Sequence, residues 1–84
     1  MTKEETKLTE VLNFLLKKKG LAERATFPSH LCFSKDLGLD SLDLAELTVR
    51  IEDDLGVDLF AKGVIRTIGE ARERLALSRR DKAA

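Results

Sequence analysis

Leu8, Val11, Leu12 and Leu15 recur at i, i+3, i+4 and i+7. Later in the chain Leu44, Leu47, Thr48, Ile51 and Leu55 repeat that period, all within about 60° of one direction at about 100° per residue. A strand would spread these residues over both faces, whereas an α-helix gathers each set into one stripe that has to be covered. Two such stripes in 84 residues predict one core and one domain, residues 1–84, with the helices packed on each other. Trp and Tyr are absent and Pro occurs once, which gives a β-rich architecture no support. The predicted class is all-α.

The first helix has a start and a stop signal. Thr2 and Glu5 have capping-box spacing, and Lys17-Lys18-Lys19-Gly20 places cations at the negative dipole end and a glycine at C′. Phe14 and Leu16 fall off the apolar stripe, toward its edges. Residues 21–39 then show no sustained period and are broken by Pro28 and Gly38. A connection of that length is either functional or packed by its own side chains. Leu31, Phe33 and Leu37 are its anchors, and a short helical turn is predicted near residues 21–25.

The second helix is predicted from Ser41 to Leu55, with Asp40 as N-cap and Asp43 three residues on in a capping-box arrangement. Ser41 therefore lies in a first turn, where free N–H groups and the positive dipole end favour an anion. As a bare tripeptide, Asp40-Ser41-Leu42 requires no more than a cap. Leu42 and Val49 point about 140–160° away from the core direction, among Glu46 and Asp53. Apolar anchors inside an acidic rim suit a partner contact, and scattered surface aliphatics are the plain alternative.

Formal net charge is zero, but it is segregated. Asp36, Asp40, Asp43, Glu46, Glu52, Asp53, Asp54 and Asp58 oppose only Arg50 between residues 36 and 58, a local net of −7. Such separation points to a basic partner surface, or simply to a solvated helix face. Gly56 ends the second helix, Val57 and Leu59 alternate around Asp58, and Phe60 turns inward. Thr67 and Glu70 form a second capping box for a last helix with Ile68, Ala71, Leu75 and Ala76 on its stripe. Arg72, Arg74, Arg79 and Arg80 make that helix basic, and a frayed tail is predicted from residue 79 to residue 84.

The run DLGLDSLD at residues 36–43, followed by the acidic helix and Gly56-Val57-Asp58-Leu59, resembles the acyl carrier protein family. The resemblance extends upstream to Phe33 and downstream to Thr67-Ile68-Gly69-Glu70, in matching order over roughly residues 5–77. It implies a four-helix bundle, with three major helices, one short helix at Ala61–Ile65 and the long loop between helices 1 and 2. It also implies that Ser41 carries 4′-phosphopantetheine, transferred from coenzyme A by a separate phosphopantetheinyl transferase, and that Asp40 assists the transfer. Asp36, Leu42, Asp43, Glu46, Val49, Arg50 and Asp53 would form the docking surface for acyl-loading ligases or synthases with basic faces. The thiol of the arm would carry acyl intermediates of fatty-acid, polyketide or other specialised biosynthesis as thioesters.

Several function classes lose ground on inventory. One histidine, His30, and one cysteine, Cys32, cannot build a closed zinc site or a His-based nucleophilic centre, and there is no G-x-S-x-G elbow. The acids of residues 36–46 do not follow a calcium-loop spacing. The lysine run lacks aromatic interleaving and reads as a helix end, so neither nucleic acid nor membrane is an expected partner. A charged N-terminus and a lone cysteine predict a soluble, cytoplasmic protein, the single histidine and missing nucleophile elbow predict one that is not an enzyme, and a monomer is expected. Two alternatives remain: a carrier-like module that docks without being modified, and an aminoacyl or peptidyl carrier. The peptidyl type more often shows G-G-x-S, which is absent here. Balanced charge, Leu39 where a small residue is common, and Arg50 within the acidic face favour a specialised discrete carrier over general fatty-acid synthesis.

Overall fold

The computed structural model describes residues 3–60 and 63–83, with the backbone alone for 78–83. Three helices follow one another: α1 over Lys3–Lys18, α2 over Ser41–Leu55 and α3 over Ile68–Ala83. No strand forms among the described residues, and the sole bridge there joins Cys32 to Thr67 in antiparallel sense. Helix α1 is the central element, since both α2 and α3 pack on it. Ion pairs from Lys7 to Asp54, Lys18 to Glu46 and Lys19 to Asp43 fix α1 and α2 as antiparallel.

Helices α1 and α2 end, and α3 begins, where the sequence chemistry says they should. At the end of α1, Gly20 (φ 78°) turns left-handed, Leu21 N–H donates to Leu16 C=O at 2.8 Å, and Gly20 N–H donates to Lys17 C=O at 3.0 Å. That pair of bonds is a Schellman motif, which satisfies carbonyls the helix leaves open. Gly56 ends α2 in the same left-handed conformation, donating to Glu52 C=O. At the start of α3, Glu70 N–H donates to Thr67 Oγ1 while Glu70 Oε1 accepts from the N–H groups of Thr67 and Arg66. Thr2, the proposed cap of α1, lies outside the described residues.

The core takes Leu8, Val11, Leu12, Leu15 and Leu16 from α1, Leu47 and Ile51 from α2, and Ile68, Ala71 and Leu75 from α3. Leu16 is thus inside rather than at an edge, because α1 is covered on two sides and its buried arc is wider than one stripe. Ala76 is exposed, so the stripe of α3 is shorter than predicted. The remaining core residues come from irregular backbone: Phe27, Leu31, Phe33, Leu37 and Leu39 from the long connection, and Val57, Leu59 and Ile65 from the segment after α2. The connection is a packed layer of the domain.

Two predicted elements differ. Residues 21–25 form no helical turn; Asn13 of α1 instead grips this backbone, its amide donating to Arg24 C=O and its carbonyl accepting from Arg24 N–H, both at 2.8 Å. A side chain that supplies both partners removes the need for a local helical bond. For the short helix at Ala61–Ile65, residues 61 and 62 lie outside the described residues, and residues 63–66 are not helical. There Gly63 (φ 123°) leaves helical space and Arg66 C=O accepts from Phe33 N–H at 2.9 Å. The described architecture is therefore a three-helix one. Helix α3 also runs past Arg79, where the sequence predicts a tail, to Ala83.

Candidate functional site at the N-terminus of α2

The loop before α2 is tied down twice. Phe33 N–H donates to Arg66 C=O and Ile68 N–H donates to Leu31 C=O at 3.0 Å, which fastens the connection to the start of α3. Asp36 Oδ2 then accepts from Cys32 N–H at 2.7 Å, closing a turn over residues 32–36. Leu37 and Leu39, on either side of Gly38, drop into the core. With both aliphatics buried, the chain arrives at Asp40 in an extended conformation (φ −100°, ψ −175°) and enters α2 at Ser41. Asp36 is exposed, and its bond to Cys32 N–H gives it a part in shaping the loop.

Asp40 and Asp43 form a reciprocal capping box. Asp40 Oδ1 accepts from Asp43 N–H and Asp43 Oδ2 accepts from Asp40 N–H, both at 3.0 Å. Leu44 N–H is taken by Asp40 C=O. The N–H groups of Ser41 and Leu42 are left with no acceptor among the described residues, at the positive end of the helix dipole. Ser41 itself is exposed, so its hydroxyl meets solvent at that end.

A cation completes the box. Lys19, just past the end of α1, lies 2.6 Å from Asp43 Oδ2 and 3.6 Å from Asp40 Oδ2. Burial pushes the Asp43 carboxyl up, but hydrogen bonds from Lys19 and from Asp40 N–H outweigh it and hold it below its ordinary value. The Lys19 ammonium is held above its ordinary value by the bond to Asp43.

Further along α2 the predicted docking residues divide into two groups. Leu42 (79% exposed), Val49 (57% exposed) and Asp53 face solvent, with Leu42 and Val49 two turns apart on one side. Glu46 and Arg50 lean toward α1 instead. Glu46 accepts from Lys18 at 2.7 Å and from Arg50 Nε at 3.0 Å, and the Arg50 guanidinium lies 4.1 Å from the centre of the Phe14 ring. Those two bonds, from Lys18 first and Arg50 second, hold the Glu46 carboxyl below its ordinary value. Part of the acidity of α2 is thus neutralised within the chain, and the lysine run is more than a helix end. Among the described residues, Glu52 and Asp53 meet no cation within salt-bridge distance.

Lys18, Lys19 and Phe14 are site neighbours that sequence reasoning does not find. The available signal was the adjacency of a cationic helix end and an acidic helix start at the two ends of one buried connection. Cys32 is half-buried and paired through its backbone with the start of α3, and His30 is an exposed turn residue. Among the described residues, no three His, Cys, Asp or Glu side chains come together as metal ligands, and no helix is long and apolar enough to cross a membrane.

No solved structure matches the chain significantly. Residues 30–75 match the family described as the phosphopantetheine attachment site, a span that holds the tied-down loop, the capping box, all of α2 and the first half of α3. That family is defined by covalent attachment of 4′-phosphopantetheine. The match covers more than half of the chain, and the chain therefore belongs to the phosphopantetheine-attachment family of carrier domains.

Proposed function

We propose that Ser41 is the attachment point for 4′-phosphopantetheine and that the protein is a discrete, non-catalytic carrier of acyl groups. The observation that carries this reading is the exposed Ser41 hydroxyl at the first position of α2, flanked by a reciprocal capping box and by N–H groups with no acceptor among the described residues. A phosphodiester fits there: a helix N-terminus favours an anion, and the hydroxyl is open to solvent. When bound, the group supplies a terminal thiol on a long arm, to which cargo is esterified.

The work of this chain is presentation. Ser41 Oγ would be the group that attacks the pyrophosphate phosphorus bearing the pantetheine arm of coenzyme A, with the serine proton passing to a base of the transferase and adenosine bisphosphate as the leaving group. The described part of this chain places no histidine or lysine as a base on Ser41 Oγ, and a serine hydroxyl without one is a weak nucleophile, so activation belongs to the transferase. Asp40 supports the transfer from the adjoining cap. Leu42, Val49 and Asp53 offer partner ligases or synthases an apolar contact with an acidic edge, while Asp36, Asp43, Glu46 and Arg50 hold the surrounding surface in shape. Acyl rather than aminoacyl cargo is the preferred reading because the G-G-x-S form of peptidyl carriers is missing.

Intact mass spectrometry after incubation with coenzyme A, magnesium and a broad-specificity phosphopantetheinyl transferase tests the reading. A single phosphopantetheinyl increment is expected on the wild type and none on Ser41→Ala, with the far-UV circular dichroism of both helical. No increment under conditions that modify a known carrier would leave a docking module in its place.

A further inference from the structure

The cation that pairs with the cap of α2 comes from just past the end of α1. The Lys19 ammonium reaches both Asp40 and Asp43, the two residues that bracket Ser41-Leu42. Its position is set from both ends. On its own side the backbone is locked by the cap of α1, where Lys19 N–H is shared between Leu15 C=O at 3.2 Å and Leu16 C=O at 3.1 Å before the Gly20 turn. On the other side the two carboxylates are held by their own reciprocal bonds. Lys19 is also partly covered, with its side chain 29% exposed.

Charge at this end of α2 is already slightly negative before modification. Two carboxylates face one ammonium and a helix end worth roughly half a positive charge. A phosphodiester on Ser41 Oγ adds a negative charge between the two carboxylates, and like charges packed into one turn repel. Among the described residues, Lys19 is the only cation in salt-bridge contact with either carboxylate. An ammonium on a flexible four-carbon stem has three donors, one more than the carboxylates it now serves.

We propose that Lys19 is the counter-ion of the phosphodiester on Ser41, a positioning residue through which modification of α2 is coupled to its packing on α1. The inference rests on the attachment reading above. Lys19 stays charged throughout the neutral range, since its bond to Asp43 holds the ammonium above its ordinary value. Loss of Lys19 leaves three anions at the start of α2 with only the helix end to offset them. The modified protein suffers more from that loss than the unmodified one, and the difference is the signature of the role.

The test is a cycle of urea unfolding curves on wild type, Lys19→Gln, Lys19→Arg and Lys18→Gln, each before and after modification with coenzyme A, magnesium and transferase. Modification is expected to lower the folding constant of Lys19→Gln relative to its effect on wild type by about two- to fivefold, the span of exposed ion pairs. Lys19→Arg restores the wild-type response. Lys18→Gln removes the same charge from the adjacent residue, whose partner is Glu46, and follows wild type. In 1 M salt, where the screening length is about 3 Å, the difference disappears. Equal responses in wild type and Lys19→Gln would overturn the assignment, as would a Lys18→Gln response matching that of Lys19→Gln. A wild-type protein that takes no mass increment would instead overturn the attachment at Ser41, and the counter-ion role with it, so mass and unfolding separate the two failures.

Discussion

Asp40 is assigned two separable roles, and two substitutions pull them apart. Its Oδ1 accepts from Asp43 N–H at 3.0 Å, the bond that caps α2, while its carboxylate charge is the property proposed to assist transfer onto Ser41. Asp40→Ala removes both. Loss of an N-cap costs about 1 kcal/mol, at most about 2. In a domain of this length each kcal/mol lowers Tm by roughly 4–8 °C. Asp40→Asn keeps an oxygen where Asn is as good a cap as Asp, so its Tm should fall by less than about 4 °C. Both variants lack the negative charge, and both should be modified more slowly than wild type at a temperature where all are folded. Thermal unfolding by circular dichroism gives the first quantity and initial rates of phosphopantetheinylation give the second. If Asn destabilised as much as Ala, the cap would not be the source of the stability. If either variant were modified at the wild-type rate, the carboxylate would have no part in the transfer.

Further outcomes follow from the same geometry. Phe33 is buried within irregular backbone, and Phe33→Ala should cost about 3–5 kcal/mol by urea unfolding; a loss under about 1 would mean that the loop is not a core layer. A Cβ on Gly69 would lie 3.1 Å from Ser29 C=O oxygen, which is pinned by accepting Gly69 N–H at 2.9 Å. Overpacking of about 1–3 kcal/mol should outweigh the helix preference of about 1 for alanine, so Gly69→Ala should lower Tm, and a rise would refute the close approach. Glu46 and Glu70 are held below the ordinary carboxylate value, the first chiefly by Lys18 and the second chiefly by Arg66 N–H. Their contribution is complete above the unfolded value near 4.5 and is lost as pH falls through the lower folded value. Stability measured from pH 7 downward should therefore hold to about 4.5 and then fall, and a curve with no acid loss would contradict these pairings. Val49→Asp should slow turnover by a cognate ligase or synthase while leaving the helical signal unchanged; unaltered turnover would remove Val49 from the docking surface.

The capping chemistry was legible because it is local. Asp40 with Asp43, Thr67 with Glu70, and the glycines at positions 20 and 56 each act within a few residues, and each behaves as its spacing predicts. The apolar stripe of α2 was legible for the same reason, as was the outward placement of Leu42 and Val49. Contacts between distant segments were not. Leu39 reads as an oddity beside Asp40 in sequence, yet it is a core residue that sets the direction of the chain into α2. Phe27 shows no period because irregular backbone has none, although it is as buried as the helical leucines. The turn near residues 21–25 fails because propensity cannot foresee Asn13 gripping the Arg24 backbone from a neighbouring helix. Net charge over residues 36–58 was countable, but its pairing with Lys7, Lys18 and Lys19 depends on an antiparallel arrangement that no single segment encodes.

Tandem mass spectrometry of the modified protein bears most directly on the assignment, because the chain holds four serines, at positions 29, 34, 41 and 78. After transferase treatment and proteolysis, the phosphopantetheinyl group is expected on the peptide containing Ser41 and on no other, with fragment ions placing it on that residue. The group on Ser29, Ser34 or Ser78, or on no serine at all, would contradict the account of α2 as the platform on which the arm is presented.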